Sequence, residues 1–309
     1  MMDGILDAVG RTPLVELKHL SPRREVRLFA KLEGHNPTGS VKDRIAKYMI
    51  EKAEADGLLT PGQTIIEATT GNTGIALAMV GRRKGYRVVT VVPENVFPEI
   101  RQLLDIYGAE IVWSPGQAGT KGAIELAERL AKEKGYFLPY QFGNPANPQA
   151  HYETTGVEIL EDLPDVHAFV AGLGTGGTVM GVGRRLREAN PKVQVIAAEP
   201  HPGSLLQGLK SLKDGYIPPV LDLKRLDGKF LVDSRHAFAA TRELTVKEGI
   251  LAGVSSGAVL HVALRVARRM ERGNVVVLLA DGGWKYLSSR LWTHPAVEHD
   301  EKLESTIWW

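Results

Sequence analysis

Short apolar runs rich in β-branched residues alternate with longer stretches of helical periodicity along most of the chain. We predict strands at residues 26–32, 64–68, 87–92, 110–113, 168–171, 193–198 and 274–279. Helical patterns follow Ser40 and occur at residues 73–83, 99–107, 120–134, 178–188, 235–248 and 256–270. Because alternating strands and helices are typical of parallel sheets with covering helices, the pattern predicts an α/β fold.

Two stretches interrupt this alternation. The sequence NPANP at residues 144–148 breaks it near the middle of the chain, and we predict a crossing between two domains there. Residues 202–229 carry several glycines and the Pro218–Pro219 pair, which predict a long irregular loop. Loops of that length in compact domains are often functional. A length of 309 residues is also compatible with two domains or one large α/β unit.

Composition and charge exclude several classes of protein. Hydrophobic residues make up 43% of the chain and charged residues 24%, as in ordinary soluble proteins. The formal net charge of +2 gives no general electrostatic reason to bind nucleic acid or an anionic membrane. The absence of cysteine excludes disulfides, thiolate metal sites and cysteine nucleophiles, and we predict no metal. Neither a membrane span nor a signal peptide is recognisable, so we expect a cytoplasmic protein.

The stretch 36–44, NPTGSVKDR, places a single lysine at the junction between a loop and a helix. Ser40 is a candidate N-cap for a helix whose apolar face carries Ile45, Met49, Ile50 and Ala53. Lys42 would lie in the first turn, where the helix dipole and burial both favour the neutral amine. A neutral amine is what a carbonyl cofactor requires. The alternative is a solvated lysine among charged neighbours.

Two further loops place hydroxyls and glycines where helices begin. The loop TTGNTG at residues 69–74 follows a predicted strand, so its N–H groups can hold a carboxylate, and Asn72 offers both a donor and an acceptor. The alternative is an ordinary turn with hydroxyl caps. The loop GVSSGA at residues 253–258 also enters a helix, and on its own Ser255 or Ser256 is best explained as an N-cap.

A third loop, GLGTGGT at residues 172–178, directly follows a predicted strand and matches GxGxxG. Glu199 ends the next strand at the distance expected of an acidic residue that holds a ribose, which favours a nicotinamide dinucleotide. The hydroxyls of Thr175 and Thr178 beside glycine N–H groups suit a terminal phosphate monoester instead. The loop therefore predicts a phosphate site without deciding between the two ligands.

These stretches occur together in an order that resembles the cysteine synthase (O-acetylserine sulfhydrylase) family of fold type II pyridoxal phosphate enzymes, in particular its cysteine synthase B branch. The resemblance covers nearly the whole chain through TPLVEL (12–17), KLEGHNPTGSVKDR (31–44), EATTGNTGIALAM (67–79), QFGNPANP (141–148), GLGTGGT (172–178), EGILAGVSSGA (248–258) and KYLSS (285–289). It implies two open, twisted, mostly parallel sheets with covering helices, similar to the tryptophan synthase β chain. It also implies a larger cofactor-binding domain of residues 1–34 and 146–309 and a smaller mobile domain of residues 35–145.

The resemblance further implies pyridoxal 5'-phosphate as cofactor and a role for each site residue. Lys42 would be the catalytic residue, forming the internal aldimine and later removing the α-proton. The other cofactor-binding residues would be Asn72 at the ring hydroxyl, Ser255 at the pyridine nitrogen, and Gly174, Thr175, Gly176, Gly177 and Thr178 at the phosphate. The substrate-binding residues would be Thr69, Thr70, Gly71, Thr73, Gln141 and Lys210. Thr70 departs from the family pattern, in which many relatives have serine.

The activity implied by this resemblance is a β-replacement that gives L-cysteine through an α-aminoacrylate. An O-activated serine, O-acetylserine or O-phosphoserine, would react with sulfide, thiosulfate or a protein thiocarboxylate. Lys210 and Lys213 could attract an anionic substrate. A serine or threonine dehydratase, a cystathionine β-synthase-type lyase and an NAD-dependent oxidoreductase are the alternatives.

The family also implies a homodimer, and a small sulfur-carrier protein is a candidate partner. We expect neither nucleic acid nor membrane among the partners. The apolar C-terminus, Ile307-Trp308-Trp309, is expected to dock on the core or on the dimer partner, or else to reach the mouth of the active site.

Overall fold

The computed structural model describes residues 2–116, 119–202, 206–213 and 215–293. Its strands are β1 (Leu14–Glu16), β2 (Val26–Leu32), β3 (Thr64–Ala68), β4 (Arg87–Pro93), β5 (Glu110–Ser114), β6 (Ala168–Gly172), β7 (Gln194–Pro200), β8 (Gly228–Val232) and β9 (Gly273–Leu279). Its α-helices are α1 (Lys42–Ala55), α2 (Asn72–Lys84), α3 (Pro98–Ile106), α4 (Gly119–Lys134), α5 (Ala146–Glu153), α6 (Thr155–Asp162), α7 (Gly177–Ala189), α8 (Ser234–Glu248) and α9 (Val254–Ala267). All seven predicted strands are confirmed. The C-terminal tail discussed above lies outside the described residues.

The strands form two sheets, as the α/β prediction requires. The larger sheet has the order β1-β2-β9-β6-β7-β8, in which only the β1–β2 pair is antiparallel. The smaller sheet has the order β3-β4-β5 and is parallel, and Phe137 adds a single-residue parallel bridge to Ile65 of β3. Parallel strands are covered on both faces, which explains why they appear in the sequence as continuous apolar runs.

Alternate residues of the central strands pack into cores on opposite faces of each sheet. In the larger sheet, Leu28 faces the core formed with α8 and α9, whereas Phe29 faces the core formed with α7. In the smaller sheet, Ile65 packs with α1 and α2, and Ile66 packs with α4. Each fully buried side chain of this kind contributes roughly 1.5–3 kcal/mol. Both sheets therefore fix the positions of the loops at their strand ends.

The structure corrects three local predictions. The prolines of 144–148 begin a helix, because Pro145 is the N-cap residue of α5 and proline is tolerated in a first turn. Helices α5 and α6 were thus missed. The irregular stretch 202–229 ends in the unpredicted edge strand β8. The N-cap of α1 is Val41, while Ser40 accepts a hydrogen bond of 3.3 Å from the Lys42 N–H through its hydroxyl.

No helix in the described residues is long and apolar enough to span a bilayer.

Candidate active site

A cavity of about 390 Å³ opens where strands of both sheets end. Its volume suits a small organic cofactor or substrate. The predicted site residues that line it are Lys42, Thr69, Thr70, Asn72, Thr73, Gln141, Gly174, Thr175 and Lys210. The structure therefore brings together residues that are up to 168 positions apart in the sequence.

The other predicted residues lie directly behind this lining. Gly71 connects two lining residues, and Gly176, Gly177 and Thr178 continue the loop into α7. Ser255 is the second residue of α9, whose N-cap is Gly253, so Ser255 is not itself the cap. A Cβ placed on the cavity residue Gly208 would lie 3.7 Å from Ser255 Oγ, so this hydroxyl faces the cavity wall.

Lys42 is the first residue of α1 and reaches the cavity with a partly exposed side chain. Removal from water lowers the pKa of its amine, and the positive charge of Lys285 lowers it further. Asp281 and Glu33 act in the opposite direction. Within the described residues Lys42 Nζ has no hydrogen-bond partner. The amine is thus biased towards the neutral form, as the sequence predicted, and available as a nucleophile or base.

The loop before Lys42 is fixed to the segment after β9. The Val41 N–H donates to the Ala280 carbonyl at 2.8 Å, and the Gly282 N–H donates to the Gly39 carbonyl at 3.2 Å. Gly39 has a φ of +83°, and a Cβ there would lie 2.7 Å from the Trp284 ring. Only glycine fits this turn, which explains the break ahead of the lysine.

A buried ion network fixes the other side of the same helix start. Arg44 donates through Nε and Nη2 to the two carboxylate oxygens of Glu33 at 2.7 and 2.9 Å, and through Nη1 to Glu158 of α6 at 2.6 Å. Burial raises the pKa of Glu158, but hydrogen bonds and charge from Arg44, with help from Lys31, outweigh burial and hold it at about 2. Lys42 is therefore positioned by contacts with the end of β2 and with α6.

The loop entering α7 is an anion cradle. The N–H groups of Gly174, Thr175, Gly176 and Thr178 make no hydrogen bond to the described chain, although this loop is largely buried. Unpaired N–H groups at a helix N-terminus attract an anion. A phosphate is the ligand that this geometry fits best, because it can accept several of these hydrogen bonds at once.

The glycines of the cradle are required for packing as well as for ligand approach. A Cβ on Gly177 would lie 1.9 Å from Asn147 Oδ1, and a Cβ on Gly174 would lie 2.8 Å from the Gly208 carbonyl oxygen. Gly176 has a φ of +87°. A bulky residue at these positions would displace protein atoms before it met a bound anion.

A neutral histidine lies beneath the cradle, and sequence reasoning missed it. His151 Nε2 is 3.2 Å from the Thr178 hydroxyl, and its Nδ1 is 3.0 Å from the Thr155 hydroxyl. Burial lowers the pKa of His151 to about 3, and the charge of Arg44 contributes. The neutral ring orients Thr178 without adding a charge.

The 69–74 loop presents hydroxyls and N–H groups at another part of the cavity wall. Thr69 Oγ1 accepts from the N–H groups of Gly71 at 3.0 Å and Gly74 at 3.2 Å, so its own proton can be donated to a ligand. Thr73 donates to Gln141 Oε1 at 2.7 Å, and Gln141 Nε2 donates to the Ala68 carbonyl at 2.8 Å. These bonds hold the loop in one arrangement.

The two candidate lysines of the irregular loop differ in position. Lys210 lines the cavity, where its ammonium lies 4.8 Å from the centre of the Phe142 ring and donates to the Thr120 hydroxyl. Lys213 is exposed and is not part of the lining. Only Lys210 is placed to meet a ligand.

Glu199 does not have the role that a dinucleotide site would give it. Its Oε1 accepts from the Leu212 N–H at 2.8 Å and from the Ser211 hydroxyl at 3.2 Å, and Lys229 pairs with Oε2. The side chain is fully buried. It is therefore occupied in holding the cavity loop and is unavailable to a ribose.

Comparison with known proteins agrees with this arrangement. The model of a family described as pyridoxal-phosphate dependent enzymes matches residues 5–281. The chain is thus a pyridoxal-phosphate dependent enzyme, and its two sheets are those of fold type II.

A cysteine synthase from Staphylococcus aureus is 44% identical over 302 residues, which cover 94% of this chain and 97% of that protein. A solved O-ureido-L-serine synthase is 42% identical with a TM-score of 0.89, covering 94% of this chain and 95% of its own. The cysteine synthase of Entamoeba histolytica is 34% identical with a TM-score of 0.89, covering 99% and 96%. The chain belongs to the cysteine synthase family.

The residues present fit pyridoxal phosphate. The cradle at α7 has free N–H groups for a phosphate, and Lys42 has an amine without a hydrogen-bond partner in the described chain. Ser255 Oγ likewise has no partner there, although the residue is only 4% exposed. A neutral hydroxyl in that position can meet a ring nitrogen without protonating it.

Proposed function

We propose that this enzyme makes L-cysteine by replacing the β-substituent of an O-activated serine with a sulfur nucleophile. The observation that carries the proposal is the convergence of three features on one cavity: the amine of Lys42, the cradle at α7 and the hydroxyl-rich 69–74 loop. An amine, a phosphate site and a carboxylate site together are what a pyridoxal phosphate enzyme acting on an amino acid requires.

The cofactor would be held by Lys42, Asn72, Ser255 and the cradle residues Gly174, Thr175, Gly176, Gly177 and Thr178. When bound, it supplies an electron sink for the substrate's α-carbon. Lys42 Nζ would remove the α-proton, which its bias towards the neutral amine permits.

The substrate carboxylate would be bound by Thr69, Thr70, Gly71, Thr73 and Gln141. The hydroxyl proton of Thr69, which can be donated to a ligand, and the N-terminus of α2 both favour an anion here. The helix start also orients the carboxylate relative to Lys42, which sets the α-carbon within reach of the amine.

We further propose that residues 35–145 act as the smaller mobile domain and close over the substrate, while residues 1–34 and 146–309 form the larger domain. Two contacts cross the cavity between these parts: Gln207 Nε2 donates to the Thr70 carbonyl at 3.1 Å, and Lys210 donates to Thr120. Closure would exclude water from the reacting centre. The cytoplasmic location remains a prediction from the sequence, and the homodimer and a sulfur-carrier partner remain predictions from the resemblance.

The direct test uses the purified full-length protein with pyridoxal phosphate. We expect a visible absorbance band that changes when O-acetylserine is added, and formation of cysteine when sulfide follows. Lys42→Ala should fold but make no cysteine, because nucleophile and base are lost together. Near-wild-type turnover by Lys42→Ala, or conversion of O-acetylserine to pyruvate alone, would contradict the proposal; the second result would indicate a dehydratase.

Lys210 is proposed to favour an anionic substrate. Lys210→Ala should raise the KM for O-phosphoserine or thiosulfate more than the KM for O-acetylserine or sulfide. Lys213→Ala is the matched control, because it removes an equal charge outside the cavity. Equal effects of Lys210→Ala on all four substrates would reject this role.

A further inference from the structure

The segment that follows β9, residues 280–286, contacts several loops of the site, although no site residue was predicted in it. Residues 280–282 bond to residues 39–41 before Lys42. On its other side, the Gly253 N–H donates to the Asp281 carbonyl at 3.0 Å, which joins the segment to the start of α9. It therefore lies between the loops that carry Lys42 and Ser255.

Two buried charged side chains of this segment hold the amide of Asn72. Lys285 Nζ donates to Asn72 Oδ1 at 2.7 Å, and Asn72 Nδ2 donates to Asp281 Oδ2 at 2.7 Å. The relative exposure is 0% for Lys285 and 2% for Asp281. Tyr286 also donates its phenolic proton to Asp281 Oδ2.

The chemistry of these partners fixes the orientation of the amide. An ammonium group can only donate and a carboxylate can only accept, so the Asn72 oxygen must face Lys285 and its nitrogen must face Asp281. The amide nitrogen carries a second hydrogen, and Asn72 lines the cavity. Asn72 is thus held at the cavity wall with the orientation of its amide fixed.

The same segment distributes charge between two lysines. Lys285 has an acceptor in Asn72 and lies near the carboxylates of Asp281 and Asp43, whereas Lys42 Nζ has no hydrogen-bond partner within the described chain. An ammonium is best retained where it is hydrogen-bonded and near carboxylates. Burial lowers the pKa of Lys285 as well as that of Lys42, so the positive charge of the pair is assigned to Lys285 on its hydrogen bond to Asn72 and its neighbouring carboxylates.

We infer that Lys285 is a positioning residue of this active site, which orients Asn72 through its amide oxygen and carries the positive charge of the lysine pair so that Lys42 stays an amine. Asp281 is the opposing partner that completes the clamp. This inference rests on the proposed function, because it concerns how the chain prepares Lys42 and Asn72 for the cofactor.

The charges of Lys285 and Asp281 act on the pKa of Lys42 in opposite directions. Lys285 lowers the pKa of Lys42, and Asp281 raises it. Other ionisable groups near these two lysines in the described chain include Glu33 after β2, Asp43 on α1 and the neutral His151 on α5, and Tyr286 is hydrogen-bonded to Asp281. Removing Lys285 should therefore raise the pKa of Lys42, and neutralising Asp281 should lower it.

The test follows pyridoxal phosphate uptake by the full-length chain after the cofactor has been removed. The uptake rate depends on the neutral amine, so its pH profile reports the pKa of Lys42. Lys285→Met should shift the profile to higher pH and slow uptake near neutral pH by about tenfold for each pKa unit. Asp281→Asn should shift the profile to lower pH.

Lys52→Met is the matched control, because Lys52 is an exposed lysine of α1, the helix that begins with Lys42, and it pairs with Asp56 in solvent. Its profile should match that of the wild type. Should Lys285→Met not fold, Lys285→Gln replaces it, since it also removes the charge. Unchanged profiles in folded Lys285 variants, or shifts of the same sign for Lys285 and Asp281 variants, would overturn the inference.

A double-mutant cycle tests the link through Asn72. If Lys285 acts by orienting the amide, Lys285→Met should weaken equilibrium cofactor affinity in the wild type and have a much smaller effect in an Asn72→Ala background. Additive effects would overturn the positioning role. A wild-type protein that takes up no pyridoxal phosphate would overturn both the proposed function and this inference. Normal uptake by the wild type, with unchanged uptake profiles in the Lys285 and Asp281 variants, would overturn this inference alone.

Discussion

Replacing Arg44 should destabilise the fold far more than replacing an exposed arginine. Arg44 is 3% exposed and bridges Glu33, which is fully buried, to Glu158. Arg44→Met leaves the Glu33 carboxylate buried with only the uncharged donors Thr12 and Asn36. Removing one partner of a buried ion pair typically costs about 3–5 kcal/mol, because the remaining charge is uncompensated.

The matched control is Arg27→Met. Arg27 makes a similar two-pronged contact with Glu16, at 2.9 and 2.8 Å, but the side chains are 51% and 25% exposed. An exposed pair of this kind contributes about 0.2–1 kcal/mol. Urea unfolding followed by circular dichroism gives both free energies of unfolding.

The charge argument also predicts a rescue. Adding Glu33→Gln to Arg44→Met should recover part of the loss, because the stranded charge is removed. The account of this network is wrong if Arg44→Met lowers the free energy of unfolding no more than Arg27→Met does. It is also wrong if Glu33→Gln lowers the free energy of unfolding of the Arg44→Met variant by as much as it lowers that of the wild type.

Two further predictions concern the residues beneath and beside the cavity. The pKa of His151 is about 3 in the folded protein against an ordinary 6.5. The stability that the neutral ring contributes is therefore complete above pH 6.5 and is lost as pH falls towards 3, with a slope that approaches about 1.4 kcal/mol per pH unit. His151→Gln should flatten the profile of unfolding free energy against pH between about pH 6.5 and 5. An equally steep profile in the variant would refute the assignment. Glu199→Gln should weaken the hydrogen bonding of the loop at 211–212 and raise the KM for the amino-acid substrate while leaving cofactor affinity intact, with Glu16→Gln, at a partly exposed carboxylate, as the control. A loss of cofactor affinity without a change in KM would contradict that role.

The sequence predicted the strands well because most of them, such as β3, β4 and β6, are buried along nearly their whole length and appear as apolar runs. It missed β8, an edge strand in which only Val232 is fully buried, so that its apolar signal is weak. It also missed α5, where prolines that usually end a helix occupy its first turn.

The candidate site was predicted in part because its loops follow strand ends, where open α/β sheets bind ligands. The same rule could have found Asp281, which follows β9 by two residues, but the motif there lacks the hydroxyls that marked the other loops. Glu199 was misread because its partners Ser211 and Leu212 come from an irregular loop whose path the sequence does not reveal. Contacts of that kind depend on the tertiary fold.

The most direct measurement of the central claim is to reduce the full-length protein with borohydride after loading it with pyridoxal phosphate, and to map the labelled lysine by mass spectrometry. The account predicts the pyridoxyl label on the peptide that contains Lys42, since its amine lines the cavity and burial lowers its pKa. A label on Lys285 or Lys210, or no label on any lysine, would contradict it.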